Sequence, residues 1–149
     1  MKIWIDADAC PKPVKDIVHR AAARLHLELV FVSNQHLRTR PTGRVKVVKV
    51  SGGFDMADEY IIRHAAPGDV AVTADIPLAA RLVENGVCVL GFRGEIHTRD
   101  NIRERLVMRD FMDEMRGSGI VQGGPAPFGQ KDRHAFANAL DRLLTRMAR

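Results

Sequence analysis

The sequence has little of what several common protein classes require. Only two of its 149 residues are cysteine, which is too few for a disulfide framework. No cluster of His and Cys has the spacing of a zinc site. No apolar run approaches the roughly 20 residues of a membrane-spanning helix, and the first residues lack the basic and apolar regions of a signal peptide. We therefore expect a protein of the reducing cytoplasm, without disulfides, structural zinc or a membrane anchor.

Aromatic residues and phosphate-binding loops are also scarce. Phe, Trp and Tyr make up 5% of the chain, so extensive stacking on nucleic-acid bases is not expected. No glycine-rich loop follows the first apolar run, Ile3-Trp4-Ile5, which argues against Rossmann and P-loop folds. What the chain does have is basic charge, with a net charge of +5 and a pI of about 9.7. This balance favours a polyanionic partner, either RNA or DNA.

Strand-like apolar segments alternate with segments of helical periodicity along the whole chain. The strand-like segments are residues 2–6, 29–32, 45–48, 70–73 and 87–90, and the helical ones are 13–25, 55–65, 77–85, 99–116 and a final helix bearing Phe136, Leu140, Leu143, Leu144 and Met147. The stripe of Val107, Met108, Phe111 and Met115 in the fourth helix predicts that these residues lie in the core. The alternation predicts an α/β fold in one three-layer domain over residues 1–149, with a mostly parallel central sheet and helices on both faces.

Acidic residues occur where this fold would bring them together. Asp6 and Asp8 follow the first strand, Asp75 follows the strand at 70–73, and Asp55 and Asp58 occupy the start of a helix. Because the carboxyl ends of parallel strands meet at one edge of a sheet, we expect these carboxylates to lie close together. An oxygen-rich cluster of this kind is typical of a Mg²⁺ or Mn²⁺ site. Taken singly, Asp75 ahead of Pro77 and Asp55 after Gly53 are equally well explained as helix caps.

Several other residues are candidates for contacts with a phosphodiester substrate. Lys12 follows the acid pair and Arg93 follows the last predicted strand, so either could neutralise charge on phosphorus. Arg103 and Arg109 belong to an arginine-rich helix that could follow a nucleic-acid backbone, and Gly123 and Gly124 could present backbone N–H groups to a phosphate. Each cation could instead be a solvated or ion-paired surface residue.

Cys10 is not a candidate nucleophile. The negative charge of neighbouring Asp6 and Asp8 should raise the pKa of its thiol. We interpret Cys10 as a small packing residue.

A strand that ends in Asp-x-Asp also begins the haloacid-dehalogenase phosphatases, in which the first Asp is the nucleophile. Ser33, at the end of the second strand, suits that class. The same class requires Gly-Asp after a late strand, whereas Gly68-Asp69 precedes its strand here. An aspartyl-phosphate phosphatase is therefore the weaker interpretation.

Ordered sequence blocks resemble the YaiI/YqxD family of bacterial proteins over essentially the whole chain. The blocks are Trp4 to Pro11, Gly53 to Asp58, Gly68-Asp69, Thr73 to Ala79, Arg93-Gly94, Ile102 to Arg105, Met108 to Asp113, Gly123-Gly124-Pro125 and Asp132-Arg133. That family is similar to PIN-like domains, which include metal-dependent nucleases. The resemblance implies catalytic, metal-binding carboxylates at Asp6, Asp8, Asp58 and Asp75, with Asp55 as a further ligand, acting on RNA or on single-stranded or flapped DNA. The alternative is a PIN-like module that binds nucleic acid without cutting it.

Overall fold

The computed structural model of the protein describes residues 1–39, 41–53, 55–124 and 126–147. Phe54 and Pro125, which belong to the sequence blocks above, lie outside the described residues. Six strands and five helices are found in this part of the chain. They are β1 (Lys2–Asp6), α1 (Lys12–Leu25), β2 (Glu28–Ser33), β3 (Val45–Lys49), α2 (Met56–His64), β4 (Val70–Val72), α3 (Ile76–Glu84), β5 (Cys88–Leu90), β6 (Ile96–His97), α4 (Arg99–Gly117) and α5 (Gln130–Met147).

The strands form one sheet in the order β3-β2-β1-β4-β5-β6. The first five are parallel to their neighbours, and β6 pairs antiparallel to β5. From β1 the chain builds the sheet outwards through β2 and β3, and then returns to the other side of β1 to add β4, β5 and β6. The order therefore reverses between β1 and β4, which is where open α/β sheets bind their ligands.

Alternating residues of β1 supply the cores on the two faces of the sheet. Ile3 and Ile5 are fully buried and pack with α1 and α5 on one face. Trp4 points to the other face and packs with α2, α3 and Ile102 of α4. The α/β fold with a mostly parallel sheet and helices on both faces is thus confirmed. None of the described helices combines the length and apolarity needed to cross a membrane.

The prediction that the apolar stripe of α4 lies in the core is wrong. Val107, Met108 and Phe111 are 64%, 57% and 49% exposed, and Met115 is only partly buried. Among the described residues of α4 only Ile102, near its start, is buried. Ile102, in the first turn, packs with residues of α3, whereas the second half of the helix has no buried residue among those that the structure describes. Helical spacing alone therefore did not identify a buried face.

The β5–β6 connection holds α4 and α5 against the edge of the sheet. Asn101 and Arg105 of α4 both donate hydrogen bonds to the carbonyl of Ile96, at 3.0 and 2.7 Å. Gly94, in the turn, has φ of +92°, and a Cβ atom there would lie 2.7 Å from the carbonyl oxygen of Ala135 in α5. Only glycine satisfies both the backbone angle and the close approach of α5.

Asp69 closes the opposite, amino edge of the sheet. Its carboxylate accepts hydrogen bonds from the Trp4 indole Nε1 and the Lys2 backbone N, both at 3.0 Å, and from the Ala66 N at 2.9 Å. Asp69 is 7% exposed, and these three donors satisfy it. This aspartate therefore serves the fold and lies away from the other acids.

Candidate functional site at the carboxyl edge of the sheet

The first strand carries Asp6 to the point where the strand order reverses. Thr73, which follows β4 and is 1% exposed, donates its hydroxyl to Asp6 Oδ2 at 2.7 Å. The same Thr73 oxygen accepts the backbone N–H of Asp75 at 3.0 Å. One buried hydroxyl thus fixes the Asp6 side chain and the backbone that leads into α3.

Asp8 faces the end of β2. Its two carboxylate oxygens accept hydrogen bonds from the Ser33 hydroxyl, at 2.6 Å, and from the Asn34 backbone N, at 3.0 Å. Ser33 is fully buried. Asp8 is therefore held in place by the start of the loop that follows β2.

Asp75 has the capping role that the sequence suggested as one alternative, while Asp55 does not. The Asp75 side chain accepts a hydrogen bond from Leu78 N at 3.0 Å, at the N-cap of α3. Asp55 precedes α2 with φ of 67° and makes no side-chain cap bond. Asp58 lies in the first turn of α2 and lines the same cleft as Asp75.

Two adjacent clefts contain all five predicted acids. The β1–β4 cleft, of about 440 Å³, is lined by Asp6, Asp8, Ala9, Asp75, Phe92 and Arg109 among others. The α2–α3 cleft, of about 310 Å³, is lined by Asp55, Asp58, Glu59, Asp75, Arg81 and Arg109 among others. Asp75 and Arg109 line both clefts, so the start of α3 separates two parts of one acidic depression. We call Asp6, Asp8, Asp55, Asp58 and Asp75 the acid edge.

The acid edge has more negative charge than its surroundings neutralise. Burial raises the pKa of Asp6 to about 6, opposed by the Thr73 hydrogen bond and reinforced by the charges of Asp75 and Asp8. Burial also raises the pKa of Asp58 to about 7, and the charges of Asp75, Asp6 and Asp55 raise it further. Carboxylates this crowded gain from a proton or from a bound cation.

The donor chemistry of the acid edge fits Mg²⁺ or Mn²⁺, because the depression offers carboxylate oxygens without nitrogen or sulfur ligands. The side chains are not gathered as ligands, however. Within residues 1–39, 41–53, 55–124 and 126–147, no group of three His, Cys, Asp or Glu side chains is close enough to hold a metal ion. Both carboxylate oxygens of Asp8 accept hydrogen bonds, from Ser33 and Asn34, whereas at Asp75 the bond from Leu78 N involves Oδ1 alone.

Only one of the predicted cationic residues, Arg109, lies at the acid edge. Arg109 reaches both clefts from α4 and also pairs with Asp110 at 2.9 Å and Asp113 at 3.4 Å. Arg93 instead holds the start of α5, through Asp132 at 2.9 Å and the Ala126 carbonyl. Lys12 lines a different cleft, beside Cys10.

The remaining substrate-binding candidates lie outside both clefts. Arg103 is exposed on α4. Gly123 and Gly124 are exposed in the loop between α4 and α5, and Gly123 has φ of +79°.

Cys10 is buried in the core on the α1 face of the sheet. Burial raises the pKa of its thiol to about 12; the charge of Lys15 lowers it and that of Asp6 raises it. The expected direction is therefore correct, but burial is the principal cause and not the neighbouring acids. An inert, packed thiol follows.

Sequence reasoning missed Thr73 as a site residue, and considered Ser33 only as evidence for a phosphatase. Both residues carry buried hydroxyls. Ser33 is the last residue of β2 and Thr73 follows the last residue of β4, and both strands neighbour β1. A polar residue that ends an otherwise apolar buried strand was the available signal, because such a residue needs a hydrogen-bond partner at the edge.

Fold and site together define a doubly wound α/β protein with an acidic depression at its topological switch point. The chain belongs to the family described as "Uncharacterized BCR, YaiI/YqxD family", which matches residues 4–146. It is 56% identical over 149 residues to UPF0178 protein Bpet3884 of Bordetella petrii, covering 100% of this chain and 99% of the relative. It is 54% identical to a UPF0178 protein of Geobacter metallireducens, covering 100% and 96%, and 52% identical to a UPF0178 protein of Shewanella baltica, covering 98% and 97%. No solved structure matches the chain.

Proposed function

We propose that this protein is a divalent-metal-dependent nuclease of the PIN-like kind, which hydrolyses phosphodiester bonds of RNA or of single-stranded or flapped DNA. The observation that carries the proposal is the gathering of Asp6, Asp58 and Asp75 at the switch point, where burial and, after it, the charges of the neighbouring carboxylates raise the pKa values of Asp6 and Asp58. Uncompensated carboxylates destabilise a fold, and a depression that retains them suits a cation that arrives with the substrate.

Asp6, Asp58 and Asp75 would hold the ion, and small rotations of their side chains would be needed to bring them together. When bound, such an ion polarises a phosphate oxygen and lowers the pKa of an attacking water. The chain's own groups prepare the site. Thr73 orients Asp6, and the cap bond to Leu78 N fixes Asp75. Arg109, at the rim of both clefts, can donate hydrogen bonds to a phosphate oxygen.

The test is incubation of purified protein with end-labelled single-stranded RNA, single-stranded DNA and flap substrates under Mg²⁺, Mn²⁺ or EDTA. We expect cleavage with either metal, and a fall to the EDTA level in Asp6→Asn and Asp58→Asn. Asp100→Asn is the matched control, because Asp100 is an exposed carboxylate in the first turn of α4 that lines neither cleft. Equal cleavage by all four proteins, which would indicate a contaminating nuclease, would contradict the proposal.

A non-catalytic binder of nucleic acid is the second candidate. It is favoured by one observation, the lack of three convergent ligands among the described residues. Metal-independent binding without cleavage of any substrate would select it.

The phosphatase is less well supported, because Asp8 would have to donate a proton there, whereas both of its oxygens accept hydrogen bonds. Hydrolysis of a small phosphomonoester, with phosphate trapped on Asp6, would select it instead.

A further inference from the structure

A second, basic cleft borders the acid edge. This basic cleft, of about 590 Å³, lies between the start of α1 and the loop after β2, and is lined by Lys12, Lys15, His19, His36 and Arg38 among others. Asp16 is the single carboxylate in its lining. Lys12, His36 and Arg38 are exposed, so their charged or polar ends are available to a ligand.

Consecutive residues of the chain line the two depressions. Ala9 lines the β1–β4 cleft, and the next residue, Cys10, lines the basic cleft. On the other side, Asp8 holds Ser33 and Asn34, from which the loop continues to His36 and Arg38. The basic cleft is therefore the neighbouring depression on the Asp8 side of the β1–β4 cleft.

Basic groups continue beyond the basic cleft along α1. His19 also lines a further cleft of about 440 Å³, together with Arg20, His26 and Arg44. We call Lys12, Lys15, Arg20, His36, Arg38 and Arg44 the basic track. Among the ion pairs of the described residues, none involves a lysine or arginine of this track.

The lining of the track indicates what it would recognise. Among the described residues, no Phe, Tyr or Trp lines either cleft, so these residues offer no aromatic platform for the stacking of bases. Arg44 donates a hydrogen bond to the His26 carbonyl, but no cation of the track is neutralised by a carboxylate in the ion pairs above. Cations of this kind along a groove are the arrangement that binds successive phosphates of a nucleic-acid backbone. Because the basic track lies beside the acid edge, a strand bound along the track would extend from the site in one defined direction.

We propose that the basic track binds the backbone phosphates of a nucleic-acid strand on one side of the phosphodiester that lies in the β1–β4 cleft. The direction of the strand rests on the nuclease function proposed above, whereas binding to the track is measured apart from cleavage. RNA and DNA have the same phosphodiester backbone chemistry. Measuring the affinity for an RNA strand and for a DNA strand shows which of the two the track prefers.

The experiment measures the affinity of a fluorescently labelled single strand of about 12 nucleotides, as RNA and as DNA, in EDTA over a series of salt concentrations. The variant is Lys12→Glu with Arg38→Glu, both on exposed positions. Loss of two phosphate contacts should weaken binding and reduce the slope of log K against log salt by about 1.4, at about 0.7 per phosphate on a single strand. Arg142→Glu with Arg146→Glu, exposed on α5, changes the net charge equally and should reduce affinity much less.

Equal losses in the two double variants would overturn the basic track, because net charge alone would then explain binding. So would unchanged affinity in the Lys12 and Arg38 variant. A selective loss in that variant, in a protein that cuts no substrate, would support the track and contradict the nuclease. Cleavage by the wild type, together with unchanged binding by the Lys12 and Arg38 variant, would support the nuclease and contradict the track.

Discussion

Asp6 and Asp58 hold their protons more tightly in the folded protein than an aspartate in an unfolded chain does, with pKa values of about 6 and about 7 against an ordinary 3.8. Between about pH 4 and pH 7 the folded state consequently binds more protons than the unfolded state, so its stability falls as the pH rises. The stabilising contribution is complete below about pH 4 and is lost as the pH rises through 6 and 7.

We expect Asp58→Asn, which cannot ionise, to lose less stability than the wild type between about pH 5 and pH 8 in EDTA. Thermal unfolding at several pH values measures the stability of each protein. Subtracting one pH dependence from the other removes the contribution of the titrating groups that the two proteins share. Parallel curves for the two proteins would show that folding does not raise the pKa of Asp58.

Asp75 combines a structural and a proposed functional role, and two substitutions separate them. Asn keeps an oxygen that can accept the hydrogen bond of Leu78 N, whereas Ala does not. Asp75→Ala should therefore be less stable than Asp75→Asn by about 0.5–2 kcal/mol, by urea denaturation in EDTA, while both should lose metal-dependent cleavage. Equal stability of the two variants would show that the cap contributes nothing.

The sequence identified which acids would gather but not how each is held. Strand ends and the parallel sheet were sufficient to place Asp6 and Asp75 at one edge, because that follows from topology. The position of Asp75 ahead of Pro77 indicated a helix cap as one explanation, and the cap bond is present. The hydrogen bonds of Ser33 and Thr73 could not be predicted, because they form only when strands from distant parts of the sequence lie side by side.

At the scale of elements, prediction succeeded where periodicity and burial agree. The five parallel strands and the first four helices were predicted within one or two residues at their ends, and the fifth helix was predicted from its apolar stripe without bounds. Most of the strands are apolar runs, and turn residues mark many of the connections between elements. Strand β6 was missed, because two residues are too few for any periodic pattern. Helix α4 was predicted, but its buried side was not, because its stripe matches the helical period without a surface to cover it.

The unequal packing of α4 leads to a test within one helix. Ile102 is 8% exposed and packs with Trp4 and the α3 residues, whereas Phe111 is 49% exposed. Ile102→Ala should cost about 2–4 kcal/mol of unfolding free energy, and Phe111→Ala less than about 0.5 kcal/mol. Chemical denaturation of the two variants measures both values. A large cost at Phe111 would mean that the second half of α4 is covered in solution.

For the whole molecule, binding of a cation at the acid edge should stabilise the folded state by mass action. At about one hundred times the dissociation constant the gain is about 2.7 kcal/mol, which corresponds to roughly 5–10 °C in Tm for a chain of this length. We expect this shift with Mn²⁺ or Mg²⁺ in the wild type and in Asp100→Asn. It should be absent in Asp6→Asn and Asp58→Asn.

Calorimetric titration provides the second measurement of the same equilibrium. Absence of any heat or Tm shift at millimolar metal in the wild type would contradict a metal site. A shift of the same size in Asp6→Asn would place the ion elsewhere on the protein.

Trp4 is the only tryptophan in the sequence. It lies in the central strand β1, two residues before Asp6; the residue is 4% exposed, and its indole Nε1 is bonded to Asp69. All indole fluorescence of this protein therefore originates from one buried position. Its emission should move to longer wavelength when β1 separates from its neighbours and water reaches the ring. Unfolding of the strand that carries Asp6 can thus be followed optically in the native sequence, without an attached dye.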